Sequence, residues 1–149
     1  KLPAFGPLIH KAVMARFCRT LSTLLDGGIP IVQALDHAGP TSGSVIVSNT
    51  VKEVGRKIQE GSSISEQLID NPVFPPMVVQ MIAVGEETGE LPSLMSQIAE
   101  FYEDEVAILT KGFTALIEPI MLVAVGLVVG LMLIALYLPV FSSITNSGL

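Results

Sequence analysis

Apolar residues recur every three or four positions along the first 110 residues, and glycine or proline interrupts this spacing five times. The spacing is typical of amphipathic helices, with glycine favoured just after a helix and proline in its first turn. The pattern therefore predicts six helices: one ending near Asp26, then Ile31–Ala38, Ser44–Glu60, a short helix after Ser63, Met77–Glu87, and a sixth from about Leu91.

The predicted helices each carry one apolar stripe, and we expect these stripes to meet in a single small core. The fold class is therefore predicted to be all-α. The residues expected to face the core are Ile9, Val13, Phe17, Leu21, Leu24, Ile31, Ala34, Leu35, Val47, Val51, Val54, Ile58, Val78, Met81, Ile82, Gly85, Leu91, Met95, Ile98, Tyr102, Val106, Leu109 and Phe113.

Local signals mark the ends of several helices. Gly39, Pro40 and Gly43 predict a break after the second helix. Ser63 and Glu66 have the spacing of a capping box, which predicts the start of the fourth.

The C-terminal part of the chain has a different pattern, since no charged residue follows Glu118. Residues Pro119–Leu138 are almost all apolar, and twenty helical residues rise about 30 Å, the thickness of the hydrocarbon layer of a bilayer. We expect a transmembrane helix that continues the sixth helix without interruption. The alternative is a fully buried helix of a large soluble protein, but 149 residues are few to surround such a helix on all sides.

Two features should modulate this span. Pro119 removes a backbone donor directly after Glu118, which predicts a bend. Gly126 and Gly130 have the GxxxG spacing that lets another span approach closely. Simple tolerance of glycine in lipid explains the pair equally well, and both interpretations stay open.

All eight Lys and Arg residues lie before the apolar run. The positive-inside rule then places the helical domain in the cytoplasm. We expect three segments: a cytoplasmic bundle over 1–111, a transmembrane helix over 112–141, and a short polar tail over 142–149.

Composition excludes several function classes. The net charge of −6 disfavours binding to phosphate backbones, so we expect no nucleic-acid partner. The one cysteine, Cys18, forms no internal disulfide, and with His10 and His37 it makes no closed zinc site. The first residue is Lys and not Met, which indicates a piece of a longer polypeptide. The first residues show no signal-peptide pattern.

Candidate chemistry is sparse, and no phosphate-binding glycine loop or HExxH motif is found. We expect no catalytic, cofactor-binding or metal-ligating residue. Two acidic clusters could bind a hard cation such as Ca²⁺, could dock a basic partner, or could form a solvated acidic face, which is the preferred interpretation. A membrane-anchored metal-dependent enzyme remains the alternative function. The clusters are Glu86, Glu87 and Glu90, and Glu100, Glu103, Asp104 and Glu105.

Read together, the motifs resemble the GspF/PilC family of inner-membrane platform proteins of type II secretion and type IV pilus machines. Three motifs are specific for this family in combination: PP, GE-x-TG-x-L, and an EP pair that leads into a span. The residues in these stretches are more similar to the pilus branch than to the secretion branch. The resemblance covers nearly the whole chain through Ala15–Leu35, Glu60–Leu68, Phe74–Leu91, Ala99–Val106, and the EP pair followed by Ala135–Phe141.

The resemblance implies a small bundle of mostly antiparallel helices, one of two such copies in a full-length member with about three spans. This chain would be the second copy with the last span. It implies no enzymatic activity. Its motif positions here, mostly architectural, are Pro75, Pro76, Gly85, Glu86, Thr88, Gly89, Leu91, Glu118 and Pro119.

The resemblance also implies partners. A platform of this kind would couple a cytoplasmic ATPase motor to the assembly of pilin or pseudopilin subunits. We further expect other inner-membrane assembly proteins, membrane lipid and a second copy of the protein as partners.

Overall fold

The computed structural model describes residues 5–148, and these residues form six α-helices with no β-strand among them. This confirms the predicted all-α fold and its final apolar helix. The helices are α1 (Phe5–Asp26), α2 (Ile31–Thr41), α3 (Val45–Gln59), α4 (Ile64–Leu68), α5 (Pro76–Thr88) and α6 (Leu91–Asn146).

The chain divides into two compact units, one ending at Ile108 and the other beginning at Leu109. The first unit contains α1 to α5 and the first turns of α6, which surround one apolar core. Phe17 of α1 meets Phe74, just before α5, edge to face with ring centroids 5.6 Å apart. Aromatic pairs in this geometry add attraction beyond the area that they bury.

The buried side chains largely follow the predicted stripes. Val13, Phe17 and Leu21 of α1 are buried, but Ile9 is 60% exposed and was wrongly placed in the core. Ile9 lies on the predicted face of α1, but it is near the helix start, where the core does not cover it. On α6 the buried stripe ends at Tyr102, so Val106 is only partly covered.

Side-chain caps begin two of the helices. Ser44 Oγ accepts from the Val47 amide, and Ser63 Oγ accepts from the Glu66 amide, both at 3.3 Å. The second bond is one half of the predicted capping box. The predicted third helix was one residue too long at each end, because Ser44 and Glu60 are the residues that cap it.

The predicted end of the second helix was wrong. Pro40 lies inside α2, which continues to Thr41. The Ser42 amide donates to the carbonyls of Ala38 and Gly39, so the last turn closes beyond the proline. Pro40 removes the bond to the Asp36 carbonyl, but Asp36 is an exposed residue. The fifth helix also starts and ends one residue outside its predicted bounds, at Pro76 and Thr88.

The second unit contains the part of α6 that follows Ile108. The most apolar 18-residue window of this helix has a mean hydropathy of 2.8, and none of it is buried within the chain. By length and composition, α6 can cross a membrane. It is the one helix among residues 5–148 that meets this description.

The neighbours Leu68 and Ile69 provide a matched test of the core, since Leu68 is 2% exposed and Ile69 is 71% exposed. We expect Leu68→Ala to lower the free energy of unfolding by about 2–5 kcal/mol, because it leaves a cavity in the core. Ile69→Ala should change it by less than about 0.5 kcal/mol.

The rate of Cys18 alkylation measures how often the bundle opens in each of the two variants. The thiol is buried, and burial raises the pKa of Cys18 to about 12, so a thiol reagent reaches it only when the bundle opens. Leu68→Ala should speed alkylation at neutral pH by about 30-fold or more, since each 1.4 kcal/mol is a factor of about ten. Equal rates in the two variants would contradict the placement of Leu68.

Candidate interaction site at the corner between α5 and α6

Pro75 and Pro76 fix the start of α5. Pro75 has φ −59° and ψ 148°, and its carbonyl accepts from the Val79 amide at 3.2 Å. Pro76 occupies the first turn, where no backbone donor is needed within the helix. The two prolines therefore act as a helix start, as their positions in the sequence predicted.

Gly89 ends α5 and turns the chain toward α6. Its φ is +74°, a left-handed conformation that favours glycine, and its amide donates to the Gly85 carbonyl at 2.9 Å. Thr88 adds a bond from its hydroxyl to the Val84 carbonyl at 2.8 Å. Only Glu90 separates Gly89 from α6, so the corner is tight.

Gly85 is the point of closest approach between α5 and α6. A Cβ atom built on Gly85 would lie 2.8 Å from both the Cα and the Cδ1 of Leu91. Real Cβ atoms do not come this close, and the Cα belongs to the backbone, which does not move aside by rotating a side chain. Glycine at this position is therefore a steric requirement of the corner.

Glu86, the next residue, points its carboxylate at the start of α4. One carboxylate oxygen accepts from the Ile64 amide, and the other accepts from the amide and the hydroxyl of Ser65 at 3.3 and 2.8 Å. These amides belong to the first turn of α4, where backbone donors have no partner inside the helix. A carboxylate from α5 thus completes the cap that Ser63 begins.

The second acidic cluster divides between solvent and α1. Arg19 donates to both carboxylate oxygens of Glu103 at 2.9 and 3.0 Å, and to Ser96 Oγ at 3.1 Å. The hydrogen bond to Glu103 raises the pKa of the Arg19 guanidinium. Lys11 donates to Glu105 at 2.6 Å.

These partners change the interpretation of the cluster. Glu103 and Glu105 form partly exposed ion pairs between α6 and α1, whereas Glu100 and Asp104 are exposed as predicted for a wet face. Among residues 5–148, no group of three His, Cys, Asp or Glu side chains is placed so that it could hold a metal ion. Cys18 is buried in the core, and His10 Nε2 lies 2.7 Å from the Val73 carbonyl.

Sequence reasoning missed the polar contacts between α1 and α6. Besides the two ion pairs, the Ser22 hydroxyl donates to the Pro92 carbonyl at 2.8 Å, close to the corner. The sequence offers no direct signal for pairs that are 70 to 94 residues apart.

The remaining motif residues lie in the second unit. Glu118 and Pro119 are exposed positions within α6, and a Cβ atom on either Gly126 or Gly130 would meet nothing within 4 Å. Within this chain, then, the GxxxG pair is open to a neighbour, and its two interpretations stay open.

Comparison with known protein families gives a match that covers most of the chain. The model of the family described as type II secretion system (T2SS), protein F, matches residues 17–139. This chain belongs to the protein F family. The matched range includes the corner motif, Glu118 with Pro119, and the glycine pair.

Curated relatives agree with the family assignment. The chain is 47% identical to the type IV pilus assembly protein PilC of Myxococcus xanthus and 44% identical to that of Thermus thermophilus, over 95% and 97% of this chain. It is 35% identical to the type II secretion system protein F of Pseudomonas aeruginosa, over 95% of its length. These alignments cover 34%, 36% and 35% of the relatives, so this chain spans about a third of their length.

Substitution of Gly85 tests the corner. We expect Gly85→Ala to destabilise the bundle by about 1–3 kcal/mol, as overpacking of a closed contact does. Gly6→Ala is the matched control, because a Cβ there meets nothing within 4 Å. Adding Leu91→Ala should restore little, since the Leu91 Cα remains. Denaturant unfolding measures all three variants, and a Gly85→Ala protein as stable as Gly6→Ala would contradict this contact.

Glu86→Ala tests the cap on α4. Losing the carboxylate leaves the Ile64 and Ser65 amides without their acceptor, at a cost of about 1–2 kcal/mol. We expect amide hydrogen exchange over residues 62–70 to become about tenfold faster. The control is Glu87→Ala, which removes an exposed neighbouring carboxylate. Equal exchange in the two variants would show that Glu86 does not hold α4.

Proposed function

We propose that this chain is the second cytoplasmic domain copy and last span of an inner-membrane platform protein. The platform would serve a type IV pilus or type II secretion machine. Its role would be to couple a cytoplasmic ATPase motor to the assembly of pilin or pseudopilin subunits. Membership of the protein F family and the names of the relatives support this proposal.

The observation that carries the proposal is the continuity of α6. One 56-residue helix contributes Met95, Ile98 and Tyr102 to the bundle core and then continues as the apolar segment. A helix is a stiff connection, because its interior amides bond within the element itself, and in α6 only Pro119 and Pro139 lack an amide hydrogen for this. A displacement of the bundle could therefore be passed along α6 to the membrane.

The segments and their locations belong to the same proposal. We assign 1–111 to the cytoplasmic bundle, 112–141 to the transmembrane helix, and 142–149 to the tail. The position of all eight Lys and Arg residues before residue 112 supports the cytoplasmic side for the bundle. Other inner-membrane assembly proteins, lipid and a second copy would complete the surroundings.

The corner motif would have a structural role in this platform. Gly85 sets the distance between α5 and α6, Gly89 sets the turn, and Glu86 holds α4. Together these contacts join the bundle to the helix that enters the membrane. No observation favours the metal-dependent enzyme as a second function, since two carboxylates of the proposed site pair with Arg19 and Lys11.

A helix break between the two units tests the coupling role. In the full-length parent protein, we expect Ile108→Pro to lower surface piliation or secretion at least tenfold, because proline interrupts the helix there. Ile108→Ala is the control, since it removes an exposed side chain and keeps the helix. Immunoblots of washed membranes should show equal amounts of both variants. Normal assembly by the Ile108→Pro protein would overturn the proposal.

A further inference from the structure

Glu118 is isolated among the charges of the chain. It is the last charged residue of the sequence, seven positions after Lys111. Its neighbours on the helix, Ile117, Ile120 and Met121, are more than half exposed. No other side chain of the described residues lies within hydrogen-bonding distance of its carboxylate.

Pro119 places a second acceptor beside this carboxylate. In a helix, the amide of residue 119 would donate to the carbonyl of Ala115, but proline has no amide hydrogen. The Ala115 carbonyl therefore lacks its helical donor. Residues three apart share one face of a helix, so this carbonyl and the Glu118 carboxylate lie on the same side. The one hydroxyl close to these two acceptors, on Thr114, already donates to the Thr110 carbonyl at 2.9 Å.

Glu118 directly precedes the twenty-residue apolar run, so in a bilayer it lies at the edge of the hydrocarbon layer, where a donor from a partner would stabilise this face. Charged side chains within spans are rare and pair with another charge, and a backbone carbonyl exposed to lipid is unfavourable. The nearest cation on this helix, Lys111, lies about 10 Å away along the axis. In a second copy inserted with the same topology, Lys111 lies at the same depth in the membrane as Lys111 of the first copy. It is therefore also about 10 Å from Glu118 along the membrane normal and does not supply the charge.

We propose that the Glu118 carboxylate and the Ala115 carbonyl form a site for a Lys or Arg side chain of another membrane helix. The inference rests on the proposed span over 112–141. The ammonium or guanidinium would donate to both acceptors, which neutralises the charge and replaces the bond that Pro119 removes. The helix that supplies the cation belongs either to another part of the parent protein or to a different subunit of the machine.

Photo-crosslinking in native membranes tests this site. A photoreactive amino acid replaces Leu122, which is exposed and four residues after Glu118 on the same face. The full-length parent protein carries it with Glu118 intact, with Glu118→Gln, with Pro119→Ala, or with Asp104→Asn. The last variant is the matched control, since Asp104 is an exposed carboxylate on the same helix. Membranes are washed with alkaline carbonate, and the adducts are sequenced by mass spectrometry.

With Glu118 intact, we expect a protein adduct whose captured peptide has a Lys or Arg within about one helical turn of the crosslink. Glu118→Gln should lower its yield at least tenfold, Pro119→Ala should lower it about threefold, and Asp104→Asn should leave it unchanged. Charge exchange then checks the pairing: Glu118→Lys should lose the adduct, and replacing the captured cation with Glu should restore it. The captured sequence also shows which of the two sources supplies the helix.

Three results would overturn the site: an unchanged yield in Glu118→Gln, a captured peptide without Lys or Arg within about one helical turn of the crosslink, or adducts formed with lipid alone. A peptide from the same segment of a second copy falls under the second result. These outcomes do not bear on the coupling role, which the Ile108→Pro variant tests by pilus assembly or secretion. The two proposals therefore fail independently.

Discussion

At the corner between α5 and α6, the hydrogen atom of Gly85 lets the Leu91 backbone come closer than any side chain would allow. This contact determines where α6 begins relative to α5. The buried residues of α6 are placed by that start, because Met95, Ile98 and Tyr102 follow Leu91 at fixed helical intervals. A larger residue at position 85 would displace the whole buried stripe and not one side chain alone.

Glu86 and Gly89 lie within four residues of Gly85, and each of them acts on a different part of the bundle. Glu86 reaches α4 through two backbone amides, and Gly89 reverses the chain by its left-handed conformation. Two helices, α4 and α6, thus depend on one corner of α5. A motif of this kind needs its residue types because of local geometry.

The helices could be predicted from the sequence because their cause is local. Spacings of three and four residues, proline at helix starts and glycine at the corner gave six helices with ends mostly within one or two residues of those observed. Ile9 and Pro40 show the limit. Whether an apolar residue near a helix start is covered depends on distant elements, and a proline near a helix end depends on whether the following amides find carbonyls.

The candidate site could be predicted only in part, for a related reason. Gly89 and Pro76 act through their own backbone, so their roles followed from the sequence. Glu86 and Glu103 were grouped with adjacent carboxylates, but they act on α4 and α1 respectively. The roles of these side chains depend on which helix lies opposite. Spacing along one helix carries no such information, and neither does the density of acidic residues.

The surroundings of α6 change along its length while its backbone stays the same. Up to Tyr102 one stripe is buried and the opposite face carries charge, which suits a helix against a core in water. From Pro119 to Leu138 the helix is apolar on all faces, which suits a helix in lipid, where its amides must bond within the helix. Pro119 and Pro139 each lack such an amide hydrogen, and Pro119 lies directly beside Glu118, the last charge of the chain. A lost bond and a lone carboxylate would each be unfavourable alone, but a single donor from outside can satisfy both.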